Sequence, residues 1–330
     1  MQTTTHKELP QNLELHEFPV QEEDFKSLVL QGLMKPIKEL SPKFFYDNRG
    51  SQLFEEITRL DEYYPTKTEL EIFNLYKEDI YKELSDQSII VEPGSGNSEK
   101  IAALLEIFPN FKVYIPIEIS RDHLLENNLV LAEKFPDIQI VSVASDYMNP
   151  AFNLDELVPG YKNPLVFFPG SSIGNYNRAQ ALHVLKQFTS LMRGKGKLLI
   201  GVDLKKDPAI LEKAYNDEKG LTAAFNQNAL HHIKKELDIE RLNPDDFIHK
   251  AWYNSELGRV EMHLESKTEQ EFKINGALVH FNKGETIHTE NSYKYTVTEF
   301  ESLASGAGLN LQKYWTDFSG YFSVQLYNYK

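Results

Sequence analysis

Between residues 70 and 204, short apolar runs alternate with amphipathic stretches. "QSIIVEP", "KVYIPIEI", "IQIVSVAS", "PLVFFPG" and "GKLLIGVDL" are strand-length and rich in Val, Ile and Phe. The text between them, "SEKIAALLEIF", "SRDHLLENNLVLAEKF" and "NRAQALHVLKQFTSLMR", carries apolar residues three and four apart, the spacing of an amphipathic helix. Strand and helix in alternation predict a doubly wound parallel sheet of the α/β class. Near-continuous apolar strands fit that arrangement, because helices then cover both faces.

Two regions break the rhythm. Residues 13–69 read as helices and turns with no strand series. Residues 205–295 open on a long helical pattern, "DPAILEKAYNDEKGLTAAFNQNALHHIKKEL", and pass to period-two text in "GRVEMHLES", "EQEFKIN" and "ALVHF". Asn275-Gly276 between the last two is a hairpin signal. The tail returns to helix and strand. The pattern therefore predicts a discontinuous α+β body from 13–69 and 205–295, and a sheet domain from 70–204 and 296–330.

In a doubly wound sheet, ligands sit at the carboxyl ends of strands where the strand order reverses. "EPGSGNSEK" follows the first strand and opens the first helix, which is that place. Gly94 and Gly96 are expected to turn the backbone with positive φ and to let a ligand approach closely. A two-glycine turn alone is as often structural as functional. Glu92 stands two residues before it, where a carboxylate meets a cationic or hydroxyl-bearing group. Glu118 ends the next strand, 24 residues past Gly94, at the distance where an acid grips a ribose diol. Asp146 and Tyr147 end the third strand, placed to bond an adenine amino group and to stack beside its ring. The pattern G-x-G-x-x-G is incomplete, with Glu99 where a third glycine belongs. A pyrophosphate would be repelled by Glu92 and Glu99, whereas a sulfonium tolerates both. S-adenosylmethionine is thus favoured over NAD.

Composition narrows the class without naming it. A chain of 330 residues with 41% hydrophobic and 25% charged residues is globular rather than disordered. No cysteine is present, which removes disulfides, thiolate ligands and cysteine nucleophiles and suits a reducing compartment. The formal charge of −14 repels phosphate backbones and anionic lipid, and the densest basic run, "RGKGK" at 193–197, reads as a loop before a strand. No signal peptide or membrane-spanning run is visible, so a cytoplasmic protein with no nucleic-acid, membrane or obligate protein partner is expected. His231 and His232 are adjacent on a helix and point apart, and His288 lies in no H-x-x-x-H or H-E-x-x-H text, so no metal site is expected.

"FFYDNRGSQLFEEITRLDEYYPTKTE" (44–69), "EPGSGNSEK" (92–100), "FFPGSSIGNYN" (167–177), "GVDLKKDPAILEKAYND" (201–217) and "TAAFNQNAL" (222–230) together resemble the L-histidine Nα-methyltransferase family of ergothioneine biosynthesis. The match runs in order over roughly 15–330. The resemblance implies a Rossmann-like methyltransferase domain joined to a substrate-binding domain. It also implies three successive methyl transfers from S-adenosylmethionine to the α-amino nitrogen of L-histidine, giving hercynine. Gly94, Lys100, Asp146 and Tyr147 match cofactor-binding positions. Glu118 stands where the family is expected to have Asp, and Pro93 replaces a usual Leu. Tyr46, Tyr63, Gly170, Asn175, Tyr215, Met262, Glu290 and Ser292 fall on substrate positions. Asn175 and Tyr215 are implied to grip the amino-acid end, Tyr46 to lie near the nitrogen, and Glu290 and Ser292 to read the imidazole; Tyr46 and Asn175 are the implied catalytic pair.

The residues suit those roles. Glu290 and Ser292 are two apart in a strand and share a face, where a carboxylate and a hydroxyl together match both ring nitrogens. Read from the residues alone, a surface strand with its polar residues facing water is the favoured reading, and the family resemblance reverses it. Met262 fits a core position and a pocket wall alike. A methyltransferase of the same family acting on another amine, a non-catalytic cofactor binder and an NAD-dependent reductase are the alternatives. Glu290 argues against an apolar substrate side chain, retention of Asn175 and Tyr215 against the binder, and the missing third glycine against the reductase.

Overall fold

The computed structural model describes residues 9–18, 25–96, 98–148, 152–192 and 196–329; the basic residues 193–195 of the expected loop lie outside them. The strands are β1 (Leu13–Glu17), β2 (Lys38–Glu39), β3 (Ile89–Pro93), β4 (Val113–Glu118), β5 (Gln139–Ala144), β6 (Leu165–Phe168) and β7 (Lys197–Asp203). The chain continues through β8 (Phe247–Asn254), β9 (Arg259–Ser266), β10 (Gln270–Ile274), β11 (Ala277–Phe281), β12 (Thr286–Tyr293), β13 (Leu309–Thr316) and β14 (Phe322–Tyr329). Eight of them form one sheet in the order β1-β5-β4-β3-β6-β7-β14-β13. From β3 the chain steps outward to β4 and β5, then returns to place β6 on the other side of β3, so the order reverses between β3 and β6.

β3 to β7 are parallel strands with largely apolar sequences. Alternate residues feed opposite faces: Ile90 packs with helices 99–107 and 121–134, while Val91 joins Ile115 and Val143 on the other side. The sheet is mixed rather than wholly parallel. β14 runs antiparallel to β7 and to β13. The short link 317–321 compels the antiparallel pairing of β13 with β14, since only antiparallel neighbours can be joined by so few residues.

The expected division at residue 13 is also corrected. Leu13–Glu17 adds to the large sheet as a parallel edge strand on β5. Leu13 is buried in that core, and the Asn12 amide donates to the carbonyls of Ala132, Phe135 and Ile138. The helix Tyr64–Leu75 likewise sends Ile72 and Phe73 into the large-sheet core.

A second core unites distant parts of the chain. Val29, Phe44, Phe45, Leu53 and Ile57 pack with Leu211, Phe225, Leu230, Met262, Leu264 and Ile287. Each such buried side chain contributes about 1.5–3 kcal/mol, so the N-terminal helices and the insert stabilise one another. Around this core lie a four-stranded sheet, β2-β12-β9-β8, and the hairpin β10-β11. Asn275 and Gly276 close that hairpin with φ of 51° and 82°, as a two-residue turn demands.

The long helical pattern after residue 207 is interrupted. Helices Pro208–Ala214 and Leu221–Glu236 are separated by a turn in which Gly220 has φ 71° and Asp217 accepts from the amides of Leu221 and Thr222. The apolar period lapses over residues 216–220, where the expected helix breaks, and the break places Tyr215 at a helix end.

Candidate active site

The carboxyl ends of β3, β4 and β5 lie side by side, where a cleft for a ligand is expected. Gly94 turns the chain with φ +67°, and a Cβ there would lie 3.2 Å from the Tyr147 ring. Gly96 differs from expectation: its φ is not positive, and a Cβ there would meet open space. One glycine is needed for conformation, the other only leaves room. Gly94→Ala is expected to cost about 1–2 kcal/mol of stability from the left-handed conformation and to weaken cofactor binding. Calorimetric affinity and urea titration check this; Gly96→Ala should be near neutral in stability.

Two carboxylates each hold the backbone with one oxygen and leave the other for a ligand. Glu118 accepts from the amides of Ile119 and Ser120 through Oε1, 2.9 and 3.2 Å. Asp146 accepts from the Met148 amide through Oδ1 at 2.8 Å. The Tyr147 hydroxyl is bonded to that of Tyr176 at 2.6 Å, so its ring, packed on Phe168 and Phe188, offers a face rather than a hydrogen bond. A cradle free of Cβ, two part-free carboxylates and an aromatic platform fit a nucleoside bearing a positive sulfur.

Glu92 is buried, bonded to the Tyr114 hydroxyl at 2.5 Å. Burial pushes its carboxyl up to about 8, against the pull of Tyr114 and Lys100. The sign follows directly. Between its ordinary 4.5 and about 8 the native state keeps a proton that the unfolded chain has lost, so stability falls as pH rises through that window. Melting temperatures of the ligand-free protein should decline over this range, and Glu92→Gln should flatten the decline.

Lys100 does not project freely into the cleft. Its ammonium is 2.6 Å from Glu69 Oε2, and Glu69 also accepts from the Gly170 amide at 2.9 and 3.0 Å. Gly170, with φ +78°, would press a Cβ against Lys100 Nζ at 2.9 Å. Glu69 is fully buried and was not anticipated, although it shares a face with buried Pro65, Ile72 and Phe73, a polar residue on an apolar stripe. Gly201 lies so near that a Cβ would collide with Glu69 Oε1.

The second body supplies the other wall. Asp47 caps helix Asn48–Thr58, and Asn228 donates both to Asp47 and to the Phe45 carbonyl, 2.8 and 3.0 Å. A Cβ on Gly50 would collide with the Phe45 carbonyl. These contacts explain "YDNRGS" physically and hold Tyr46 against Phe54 and Phe225. Tyr63 touches Phe54 and Tyr215, with ring centroids 6.2 and 6.4 Å apart.

Glu290 and Ser292 face the same side, opposite Met262 and Val260 of β9. A bulge between His288 and Glu290 makes this possible; without it, the alternation set by Ile287 would bury Thr289 and Asn291 on that face. Met262 is buried in the second core and stands opposite Glu290 in the strand register. Burial pushes the Glu290 carboxyl up to about 7, with Lys294 opposing. The side chains of Tyr46, Tyr63, Asn175 and Glu290 make no hydrogen bond to any described residue, which leaves four polar groups for a ligand.

Tyr215 is tied to the strand that carries Ser292. Its hydroxyl donates to Ser292 at 2.8 Å and accepts from Lys294 at 3.2 Å, so its proton is spent at the Ser292 end. Asn175 ends the turn Ser172–Asn175, which packs on β12 so tightly that a Cβ on Gly174 would lie 2.8 Å from the Tyr293 carbonyl.

On the outer face of the same sheet, Glu261, His263 and His288 come together, a convergence that spacing did not reveal. Trp252, His263 and His288 form a stack with centroids 4.3 and 4.7 Å apart and planes tilted 15°. Ring lone pairs in near-parallel planes cannot meet one ion at about 2.0–2.1 Å, and Glu261 is already engaged by Arg259. This arrangement is a stacked polar cluster rather than a chelate.

A mixed sheet in this order beside a largely antiparallel one is the setting, and the sequence profile makes the chain an S-adenosylmethionine-dependent methyltransferase. The chain belongs to the family described as histidine-specific, SAM-dependent methyltransferases, whose sequence profile matches residues 25–329. It is 36% identical over 304 residues to the histidine N-alpha-methyltransferase of Mycobacterium tuberculosis, covering 90% of this chain and 92% of that one. The same protein of Mycolicibacterium smegmatis matches at the same identity and coverage. Ergothioneine biosynthesis protein 1 of Neurospora crassa is 32% identical over 289 residues, 84% of this chain but only 32% of that one. No helix among the described residues is long and apolar enough to cross a membrane.

Proposed function

We propose that this chain methylates the α-amino nitrogen of L-histidine three times, giving Nα,Nα,Nα-trimethylhistidine (hercynine) for ergothioneine biosynthesis. The observation that carries the reading is the Glu290 carboxylate, without a hydrogen-bond partner among the described residues, beside the Ser292 hydroxyl on one face of β12, the strand on which the turn carrying Asn175 packs. A site built of hydrogen-bonding groups rejects analogues that lack the matching groups, because its own polar atoms are then left unpaired.

S-adenosylmethionine supplies a methyl group on a cationic sulfur, and Gly94, Glu118, Asp146 and Tyr147 would hold it, with Glu92 and the Lys100–Glu69 pair supporting the turn beneath it. Glu290 accepts the ring N–H, and Ser292 bonds the other ring nitrogen. Asn175 and the Tyr63 hydroxyl orient the amino-acid end. Transfer needs a lone pair on nitrogen, so the bound amine must shed its proton. Tyr46 is a poor base for this, because a phenol with an ordinary value of about 10 keeps its proton at neutral pH. It aligns the amine as a hydrogen-bond acceptor, and the proton leaves to water. Orientation of this kind contributes up to about 7–11 kcal/mol to a reaction barrier. We also propose that the second core, rather than the expected span 13–69, forms the substrate-binding part with 205–295.

Mass spectrometry of histidine incubated with S-adenosylmethionine tests the proposal, with singly, doubly and triply methylated histidine as the expected products. A panel of other amino acids under the same conditions separates histidine from a different amine. In Tyr46→Phe, kcat should fall by up to about tenfold, the loss of one neutral hydrogen bond, while the pH midpoint of kcat/KM stays in place. A displaced midpoint would make the tyrosine the proton acceptor.

A further inference from the structure

Lys294 is 2% exposed and lies two residues beyond Ser292. Its ammonium donates to Asp203 Oδ2 at 2.6 Å, to Ser292 Oγ at 2.8 Å and to the Tyr215 hydroxyl at 3.2 Å. Those three bonds use all the protons an ammonium has. Asp203 is itself fully buried and is shared with Lys206 and the Tyr64 hydroxyl. Tyr215 in turn donates to Ser292 Oγ at 2.8 Å.

We infer that Lys294, held by Asp203, is a positioning residue that fixes the direction of the Ser292 hydroxyl and thereby makes the site select the neutral imidazole ring. The inference rests on the proposed histidine site and adds to it the ring's protonation state. A serine hydroxyl has two acceptor lone pairs and one proton. Lys294 and Tyr215 fill both lone pairs, so Ser292 has only its proton left to offer, and it can bond only a ring nitrogen that lacks hydrogen. Glu290, the neighbouring acceptor, takes the opposite N–H. A neutral imidazole meets both demands; an imidazolium, with two N–H groups, presents a donor to a donor at Ser292.

The charged and titratable groups facing this point come from four elements. They are Glu290 on β12, Asp203 and Lys206 at the end of β7, Tyr63 and Tyr64 at the start of their helix, and Tyr215 at the end of another. Tyr46 adds a hydroxyl across the cleft. Glu290 titrates in the same range as histidine, since burial raises it to about 7, so a pH profile of histidine binding alone would mix two protons. A ring that stays neutral throughout removes the ambiguity. In β-(1,2,4-triazol-3-yl)alanine the ring offers a donor and acceptors but is not protonated in this range. Every enzyme group then titrates identically with both ligands, and the ratio of their Kd values reports the imidazole proton.

The test is calorimetry with the full chain loaded with S-adenosylhomocysteine, measuring Kd for histidine and for the triazole analogue from mildly acidic to mildly basic pH. For the natural chain, the histidine-to-triazole ratio should rise about tenfold per pH unit below the ordinary ring value of about 6.5. In Lys294→Met a Ser292 lone pair is freed to accept an imidazolium N–H, so the ratio should become flat; Lys294→Arg should restore the slope. Tyr215→Phe frees the other lone pair and should flatten the ratio too, which keeps the test available if Lys294→Met fails to fold. An unaltered slope in the folded Lys294→Met and Tyr215→Phe proteins, or a flat ratio in the natural chain, overturns the inference. Failure of the natural chain to bind either ligand would instead remove the histidine site itself.

Discussion

Glu69→Ala should lower the free energy of unfolding by about 3–5 kcal/mol, the range for removing one partner of a buried ion pair. The carboxylate is fully buried and holds both the Lys100 ammonium and the Gly170 amide. Without it, a cation with 13% of its side chain exposed and a backbone donor lose their partner together. Cofactor affinity should fall as well, because Lys100 and the Gly170 turn border the cleft. Urea unfolding measures the first effect and calorimetry the second. A loss below about 1 kcal/mol would place this pair with ordinary surface bridges and refute its structural role. Gly201→Ala provides an internal check. In the natural background its new methyl group collides with Glu69; combined with Glu69→Ala much of that penalty should vanish, a non-additivity expected only of touching residues.

Glu290→Ala should reduce kcat/KM for histidine by about 10²- to 10³-fold, since truncating one side of a buried charge-assisted bond costs roughly 2–5 kcal/mol. The ligand-free protein should respond in the opposite sense. Glu290 has no hydrogen-bond partner among the described residues, and burial raises it from 4.5 to about 7, so the folded state carries a cost whenever this carboxyl is ionised. Glu290→Gln removes that cost. Its melting temperature should exceed that of the natural chain above about pH 7 and converge with it below pH 4.5. Lower activity with higher stability is the signature of a binding group; a fall in both would make Glu290 a structural residue.

Much of the cleft was readable because its signals are local. The Gly94 turn needs only a strand, a glycine and a helix in succession. Glu118 and Asp146 stand at strand ends, where apolar text stops. Lys294 shares the parity of Glu290 and Ser292, a signal that was present and not used. Glu69 was marked by its place on an apolar helix stripe, but nothing in its neighbourhood of sequence names Lys100 or Gly170 as partners, 31 and 101 residues away in the chain. The break after Ala214 was signalled by the polar run 216–220, which the expected long helix ran across, and the edge strand β1 was hidden because its five residues alternate too briefly to outweigh a helical surrounding.

What the sequence by itself determined is the set of apolar strands and helices, the turn beneath the cofactor cleft, the shared face of residues 290 and 292, and membership of a methyltransferase family. These follow from periodicity and short motifs, which are properties of neighbours along the chain. Tertiary structure decided which groups are spent and which are free: Lys100 on Glu69, Tyr215 on Ser292, Lys294 on Asp203, with Glu290, Asn175, Tyr46 and Tyr63 left over. It also decided the bulge at Thr289, which is held by bonds to Asn226 and to the Met262 carbonyl. A repeat pattern specifies the face a side chain occupies, whereas its partner depends on how faces far apart in sequence come to pack together.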